Sequence, residues 1–150
     1  METKTENQKG KTQKDEGFTL VEVMVVMVII GLMTTFVVLN VLPNIGKAKV
    51  TTAKGYITNY QNNLELYRLN LGVLPEKEDG LEALVTPPAS LADPTLYPPG
   101  GFIRKLEADP WGNPYIYVYP GENGEYDIIS YGADGEPGGE GLNADVVSWE

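Results

Sequence analysis

The chain has 150 residues, 42% of them hydrophobic, and carries a formal net charge of −10 at pH 7 with no histidine and no cysteine. The whole excess of negative charge lies in residues 106–150, which hold 10 acidic and no basic residues, whereas residues 1–105 hold 11 of each. This composition excludes disulfide bonds, argues against nucleic acid as a partner and favours a cation. A small domain without disulfides needs another stabilising device, such as a metal or packing within an oligomer.

The N-terminal region predicts a membrane helix. Residues 18–42 are 25 residues with one charge, and a helix of this length reaches roughly 37 Å, enough to cross a bilayer core. The 17 polar residues before it include Lys4, Lys9, Lys11 and Lys14, and lysines beside a span favour the cytoplasmic side. We therefore expect the N-terminus inside and the bulk of the chain exported. The sequence after the span is bulky and has no small-x-small cleavage site, so the apolar helix stays on the mature protein.

The junction between the polar and the apolar segment carries a recognisable motif. Gly17-Phe18-Thr19-Leu20-Val21-Glu22, followed at once by the apolar helix, resembles the processing signal of type IV pilins and of type II secretion pseudopilins. In that family a prepilin peptidase cuts between the glycine and the aromatic residue and methylates the new amine. The resemblance implies a cut between Gly17 and Phe18 and the removal of residues 1–17 as a leader peptide.

Glu22 is the single charge within the apolar helix. A carboxylate there costs roughly 2.5 to 3.5 kcal/mol on insertion scales unless it has a partner. In one interpretation Glu22 lies near the headgroups and reaches them at little cost. In the other it pairs with a cation, and the amine of Phe18 created by cleavage lies ~6 Å away along the helix axis. The resemblance implies that this pairing joins neighbouring subunits during assembly, and we favour that interpretation.

The chain after the span returns to a helical pattern. Pro43 and Gly46 predict an interruption, because proline removes a backbone hydrogen bond and bends or loosens a helix. An apolar stripe with alternating spacings of 3 and 4 then predicts a helix packed against the core of a domain, ended by Gly72. Its members are Val50, Ala53, Ile57, Tyr60, Leu64, Tyr67 and Leu71. The two helical segments are interpreted as one long helix whose second half is covered by a domain.

Shorter elements follow. Asp79 and Glu82 have the spacing of a capping box and predict a short helix through Leu84 or Val85. Residues 86–100 contain five prolines and predict an irregular, stiffened connection, whose use as a subunit contact the sequence leaves open.

A β pattern occupies the next part of the chain. Three antiparallel strands are predicted at residues 102–106, 115–119 and 126–131. Tyrosines at alternate positions of the second strand suit half-buried packing better than sugar binding. A long helix followed by such strands predicts an α+β domain. Residues 101–105 and 109–112 also resemble the major pseudopilin family, also called general secretion pathway protein G, which implies a type IV pilin-like fold with a long N-terminal helix, a small three-stranded sheet and a C-terminal calcium loop.

The acidic loop, residues 130–145, combines five glycines with oxygen-bearing side chains. Calcium takes six to eight oxygens at ~2.3 to 2.6 Å from carboxylates and carbonyls on a tightly turning chain. The side chains that offer oxygen are Asp134, Glu136, Glu140, Asn143 and Asp145. The spacing is not that of an EF-hand, and from the residues alone a calcium site and a flexible acidic loop are equally open.

The acidic loop resembles the calcium loop of the major pseudopilin family. That resemblance implies a calcium ion held by the carboxylates of Asp134 and Asp145 and by the backbone carbonyls of Tyr131, Glu136 and Gly139. Ala144 stands where some members have a second aspartate, so Asn143, Glu140 or water would complete the ligand set.

The resemblance also implies the function. We expect a structural subunit without catalytic residues, made of a leader (residues 1–17), an assembly helix (residues 18–42) and a periplasmic domain (residues 43–150). It would be anchored by a single pass in the bacterial inner membrane, and it would then polymerise into a periplasmic pseudopilus that drives export through an outer-membrane secretin. The implied partners are further copies of the chain, minor pseudopilins, the prepilin peptidase, the inner-membrane assembly platform and membrane lipid.

Two alternatives remain at this stage. A type IV pilus major pilin is disfavoured because the chain has no cysteine for the disulfide common in such pilins and does have the acidic loop. A membrane-anchored hydrolase would use paired carboxylates such as Asp127 and Asp134. That alternative is disfavoured by the absence of histidine and cysteine and by the small size of the exported domain.

Overall fold

A computed structural model describes residues 17–150, and for residues 39–43 it describes only the backbone. Apart from Gly17, the predicted leader and its four lysines lie outside the described residues. The chain divides into two compact units, of which the first ends at Asn40 and the second comprises Val41–Glu150. Helix α1, Leu20–Leu71, contributes to both, and its backbone is helical without a break at Pro43 or Gly46. The two predicted helical segments are therefore one helix, as interpreted from the sequence, and the backbone hydrogen bond that Pro43 cannot make does not end it.

The part of α1 in the first unit is apolar on all sides. Leu20–Val38 has a mean hydropathy of 2.5, and its side chains are exposed. The hydroxyls of Thr34 and Thr35 donate to the carbonyls of Ile30 and Gly31 at 2.8 and 3.1 Å. These bonds satisfy the polar side chains within the helix itself, which suits a helix surrounded by lipid or by other apolar helices.

The part of α1 in the second unit has the predicted core stripe. Its five central members are at most 2% exposed, and Val50 and Leu71 pack against the same cluster, so the prediction is confirmed. The buried members are Ala53, Ile57, Tyr60, Leu64 and Tyr67. Gly72 follows with a φ of +78°, the left-handed conformation that commonly ends a helix.

The sheet has three antiparallel strands in the order β1-β2-β3. They are β1 (Ile116–Val118), β2 (Asp127–Ser130) and β3 (Val146–Val147). Ile116 pairs with Ile129, which in turn pairs with Val147. The first two strands confirm the predictions at residues 115–119 and 126–131. The third strand was missed, because two residues are too few to show an alternating pattern.

Residues 102–106 are not a strand, which corrects the prediction made for them. The backbone amides of Phe102 and Ile103 both donate to the carbonyl of Leu84. The ring of Phe102 lies 5.2 Å from that of Tyr67 and 5.3 Å from that of Tyr97. The apolar residues of this segment therefore reflect packing of an irregular chain against the core.

Hydrogen bonds from buried tyrosines hold irregular segments against the core. The Tyr60 hydroxyl donates to the carbonyl of Glu107 and accepts from its amide, each at 2.9 Å. The Tyr117 hydroxyl donates to the carbonyl of Pro75 at 3.0 Å. Tyr115 and Tyr117 of the predicted tyrosine row are buried in the core, which confirms the predicted packing. A buried phenol pairs its hydroxyl in this way while its ring fills the core.

A short 3-10 helix, Gly80–Leu84, forms where the capping box predicted a helix, but the capping mechanism is wrong. Asp79 makes no side-chain hydrogen bond to the helix start. Its carboxylate instead accepts from the hydroxyl of Ser90, eleven residues later. Asp79 therefore ties the proline-rich connection to the start of this turn. A second 3-10 turn, Pro94–Leu96, is capped by Asp93, whose side chain accepts from the amide of Thr95.

Candidate functional site

The N-terminus of α1 is closed by a capping box. The amide of Glu22 donates to the Thr19 hydroxyl at 3.2 Å, and the amide of Thr19 donates to the Glu22 carboxylate at 3.4 Å. Each side chain thus satisfies a backbone amide of the other residue at the helix start. Sequence reasoning missed this role, although the spacing Thr19-x-x-Glu22 is the signature of such a box.

The cap does not pair Glu22 with a cationic side chain. Glu22 has no salt-bridge partner within residues 17–150. Gly17 and Phe18 precede the first helical residue and are exposed, so the predicted cleavage junction lies in non-helical, accessible backbone. Pairing of Glu22 with an amine at Phe18 of a neighbouring subunit stays a prediction.

The start of the acidic loop is held by a buried aspartate that the sequence reasoning did not single out. The Asp109 carboxylate accepts from the amides of Trp111 and Asn113 at 3.0 and 2.8 Å and from the Ser130 hydroxyl at 2.6 Å. The Asn113 side chain in turn donates to the carbonyl of Gly132. Asp109 therefore fixes a turn of the chain against the last residue of β2. The Asp-Pro-Trp-Gly stretch was the sequence feature that could have indicated this role. The Ser130 hydroxyl that binds Asp109 lies 21 residues later in the chain, however.

The two halves of the acidic loop are held together by short-range bonds. The amide of Gly138 donates to the carboxylate of Asp145 at 3.0 Å, and the amide of Asp145 donates to the carbonyl of Gly138 at 3.2 Å. Gly132 has a φ of +64°, and a Cβ on it would lie 2.7 Å from the carbonyl oxygen of Ala144. Glycine at position 132 thus permits a close approach that brings the first and last residues of the loop together.

The predicted calcium ligands are only partly gathered. Asp145 binds Gly138, the residue before Gly139, across the loop. Tyr131 precedes Gly132, which lies close to the carbonyl of Ala144. Asp134 is exposed, and its carboxylate accepts from the amide of Glu136 at 3.2 Å. Among residues 17–150 no group of three acidic, histidine or cysteine side chains forms a metal cluster. A cation in the acidic loop would therefore need backbone carbonyls beside the carboxylates of Asp134 and Asp145.

The chemistry of the loop nevertheless fits a hard cation. One carboxylate oxygen of Asp145, Oδ1, is buried without a hydrogen-bond partner, while its Oδ2 is bound by Gly138. A buried, unpaired carboxylate oxygen is costly unless a cation or water reaches it. The neighbouring donors are carboxylate and carbonyl oxygens, which are the ligands that calcium takes.

Asp127, one of the two carboxylates considered for a hydrolase, has a structural position. It is 2% exposed, and its Oδ2 accepts from the amides of Glu122 and Asn123 at 2.7 and 3.0 Å. These bonds hold the turn between β1 and β2. Asp134 is exposed on the acidic loop, so the two do not form the accessible carboxylate pair that hydrolysis needs.

Comparison with known sequences covers nearly the whole chain. Residues 40–149 match the family described as type II secretion system protein G, and residues 12–38 match the prokaryotic N-terminal methylation motif. Proteins named type II secretion system core protein G are similar to it. The one from Vibrio cholerae is 48% identical over 93% of this chain and 94% of its own length, and the one from Pseudomonas aeruginosa is 43% identical over 92% and 97%.

A solved structure agrees with these sequences. The crystal structure of the major pseudopilin from the type 2 secretion system of enterohaemorrhagic Escherichia coli matches with a TM-score of 0.64 and 35% identity. The match covers 73% of this chain and 90% of that one. The sequence matches, the methylation motif and the shared fold together place this chain in the type II secretion system protein G family.

Proposed function

We propose that this chain, a structural subunit of the type II secretion pseudopilus and not an enzyme, acts by polymerising into a filament whose growth drives folded proteins toward an outer-membrane secretin. The observation that carries the proposal is the exposed apolar surface of Leu20–Val38. A helix with no cover from its own chain needs lipid or other helices around it. The same surface therefore serves as a membrane anchor before assembly and as the filament core afterwards.

The same helix supports a proposal for where the subunit lies in the cell. The apolar helix and the methylation motif fit a membrane-anchored pseudopilin. We place the anchor in the inner membrane and residues 43–150 in the periplasm, because the lysines before the span favour the cytoplasmic side. Minor pseudopilins and the inner-membrane assembly platform are the proposed partners during polymerisation.

Processing precedes assembly. A prepilin peptidase would cut between Gly17 and Phe18 and methylate the new amine, leaving 150 − 17 = 133 residues. The exposed, non-helical backbone of this junction supports the step. Removal of the leader, residues 1–17, also creates a positive amine on Phe18, and this amine would pair with the Glu22 carboxylate of a neighbouring subunit.

Calcium is proposed as the stabilising ion of the acidic loop. The carboxylates of Asp134 and Asp145 and the carbonyls of Tyr131, Glu136 and Gly139 would hold it. A bound divalent cation supplies positive charge to a segment that otherwise has only negative groups. The buried, unpaired oxygen of Asp145 supports this proposal, and so does the closure of the loop through Gly138.

The function is tested by deleting the gene in its own host. Loss of type II secretion, restored by the wild-type chain, and filaments on its overexpression are the expected results. Mature protein extracted from membranes should begin with N-methylated Phe18 by mass spectrometry. Normal secretion in the deletion strain, with loss of surface adhesion or motility instead, would favour the type IV pilin alternative. Mature protein that still begins at Met1 would contradict the processing step.

A further inference from the structure

Two hollows of opposite charge lie on the second unit, Val41–Glu150. The lysine hollow, about 650 Å³, lies between the start of that unit's helix and the acidic loop, and Lys47, Val50, Lys54 and Leu142 line it. The acidic hollow, about 300 Å³, lies between the C-terminal end of α1 and the proline-rich connection. Its lining includes Val73, Glu76, Leu91, Asp93 and Leu96. Each hollow therefore combines an apolar floor with charges of one sign.

The lysine hollow presents positive charges that its own chain leaves unpaired. Residues 44–64 contain three lysines and no acidic residue. Lys47 and Lys54, seven positions apart, share one helix face and have no ion-pair partner in the described part of the chain. Lys49 instead lies over the ring of Trp111 at 5.9 Å. The side chain of Leu142 between the lysines is 44% exposed, so the floor of this hollow is apolar and open.

The acidic hollow carries the opposite charge to the lysine hollow. Residues 76–93 contain five acidic residues and one lysine. Hydrogen bonds from the side chain and backbone of Thr95 lower the pKa of Asp93 below its ordinary value, which keeps this carboxylate charged. Three apolar side chains at this end of the unit, Leu69, Val73 and Leu96, are each at least 54% exposed. Exposed apolar groups beside charges of one sign are typical of an interaction surface.

We infer that the acidic hollow of one subunit receives the lysine-bearing helix face of a second copy of this chain. The inference rests on the pseudopilus function. Lys54 and Leu71 are 17 residues apart on α1, so about 26 Å of helix separates the two hollows and one subunit cannot close the contact on itself. Exposed apolar side chains of the two linings, Leu142 on one side and Val73 and Leu96 on the other, then pack together. Lys47 and Lys54 face Glu76 and Asp93.

This contact joins two different surfaces. Each subunit keeps a free acidic hollow at one end and a free lysine hollow at the other, so the contact can be repeated from one subunit to the next. Heterologous contacts of this kind build open helical filaments when the rotation between subunits does not close a ring, and the pseudopilus function requires the open form. Complementary charges fix the register and suppress wrong partners, whereas the exposed apolar side chains of the two linings contribute the buried area.

Disulfide cross-linking tests the inference in the full-length chain, which has no native cysteine. Thr51→Cys and Ala92→Cys place one thiol in each hollow and leave the charged residues in place. A disulfide needs Cα atoms about 4.4 to 6.8 Å apart, so cross-links report direct contact. Oxidised filaments of the double variant should run as a ladder of covalent multimers. The matched control is Asn59→Cys with Ala92→Cys, because Asn59 is exposed on another face of the same helix.

Charge reversal provides an independent readout. Lys54→Glu and Glu76→Lys should each reduce filament yield, and the two together should restore it. Both side chains are exposed and make no ion pair in residues 17–150, so thermal melts of the single variants should match the wild-type melt. Wild-type filaments whose Thr51–Ala92 pair cross-links no better than the control would overturn this contact and leave the pseudopilus function standing. Lys54→Glu that only weakens binding to anionic lipid vesicles, with filament yield unchanged, would also overturn it.

Discussion

Glu22 combines two roles at one residue. Its carboxylate caps α1 through Thr19, and its charge is available to a cation from outside the subunit. A cap at a helix start is worth about 1 kcal/mol, and the helix dipole also favours a carboxylate in the first turn, where Glu22 lies. Pairing with the amine of a neighbouring subunit would add to this stabilisation, and this pairing stays a prediction.

Substitutions at Glu22 separate the cap from the charge. Glu22→Ala removes both and should abolish filaments and secretion while leaving cleavage and the exported domain intact. Glu22→Gln retains an acceptor for the cap but not the charge, so we expect it to fail like the alanine variant. Glu22→Asp keeps the charge and should be milder. Electron microscopy of filaments and a secretion assay are the measurements, and assembly of Glu22→Gln at the wild-type level would contradict charge pairing.

At the scale of elements, α1 is in contact with the acidic loop through Gly46 and Leu142. A Cβ on Gly46 would collide with both terminal methyl groups of Leu142, whereas a Cβ on Gly55 would meet nothing within 4 Å. The absence of a side chain at position 46 thus makes room for Leu142. Glycine inside a helix lowers stability by about 0.5 to 1 kcal/mol relative to alanine. Gly46 therefore weakens the helix while making room for Leu142.

A double-mutant cycle measures the contact between the helix and the loop. Gly55→Ala should stabilise the domain formed by residues 44–150 by about 0.5 to 1 kcal/mol, because helix propensity improves at no steric cost. Gly46→Ala should gain little or nothing, since Leu142 must move. In a Leu142→Ala background, Gly46→Ala should stabilise as much as Gly55→Ala does. Urea unfolding of residues 44–150 supplies the free energies, and equal gains at positions 46 and 55 in the wild-type background would show that the contact carries no energy.

The calcium prediction is made for the acidic loop as a whole. A ligand that binds only the folded state adds about 2.7 kcal/mol at a hundredfold excess over Kd, so millimolar calcium should raise the melting temperature of residues 44–150. Asp134→Ala and Asp145→Ala should remove most of this increment, and Glu122→Ala, which lies outside the loop, should keep it.

The increment between chelator and calcium is the decisive quantity in these melts. Asp145→Ala also breaks the bond from Gly138 and lowers stability in both conditions, so its absolute melting temperature does not report on calcium. Identical wild-type melts in chelator and in calcium would leave residues 130–145 as an acidic loop without a metal.

At the scale of the whole molecule, the buried tyrosines make the free energy of unfolding depend on pH in the alkaline range. Burial raises the pKa of six tyrosines above the ordinary value, because a buried phenolate loses its hydration. They are Tyr60, Tyr67, Tyr97, Tyr115, Tyr117 and Tyr126. Above the unfolded value of about 10 the unfolded chain binds fewer protons than the folded one, so the free energy of unfolding falls as pH rises. Below that pH the contribution is fully present.

Urea unfolding of residues 44–150 between about pH 8 and pH 12 tests this dependence, with the onset near the ordinary tyrosine pKa of about 10. Tyr115→Phe is a matched variant, since burial is the main cause of the raised Tyr115 pKa and its hydroxyl makes only a 3.5 Å bond to the carbonyl of Ala53. This variant should lose less stability on the alkaline side. A free energy of unfolding that stays constant across the range would contradict the burial argument.

The sequence by itself determined the features that depend on local pattern. The 3.6-residue period predicted the buried stripe from Val50 to Leu71, and Gly72 marked the end of the helix. The apolar run of residues 18–42 and the motif around Gly17 and Phe18 identified the anchor and the family. Such signals are read within a few turns of one helix or a few residues of one motif, so no knowledge of distant partners is needed.

The tertiary structure decided what depends on residues far apart in the chain. Asp79 caps no helix because Ser90 binds it, and residues 102–106 form no strand because the amides of Phe102 and Ile103 bond to Leu84. Strand β3 exists only because β2 pairs with Val146–Val147 across the acidic loop. In the first two cases non-local hydrogen bonds outweigh the local preference of the segment, whereas the two residues of β3 are too few to show a preference that can be read from the sequence. Local preferences are worth about 1 kcal/mol or less per residue, so a few hydrogen bonds and ring contacts with distant partners are enough to reverse them in a short segment.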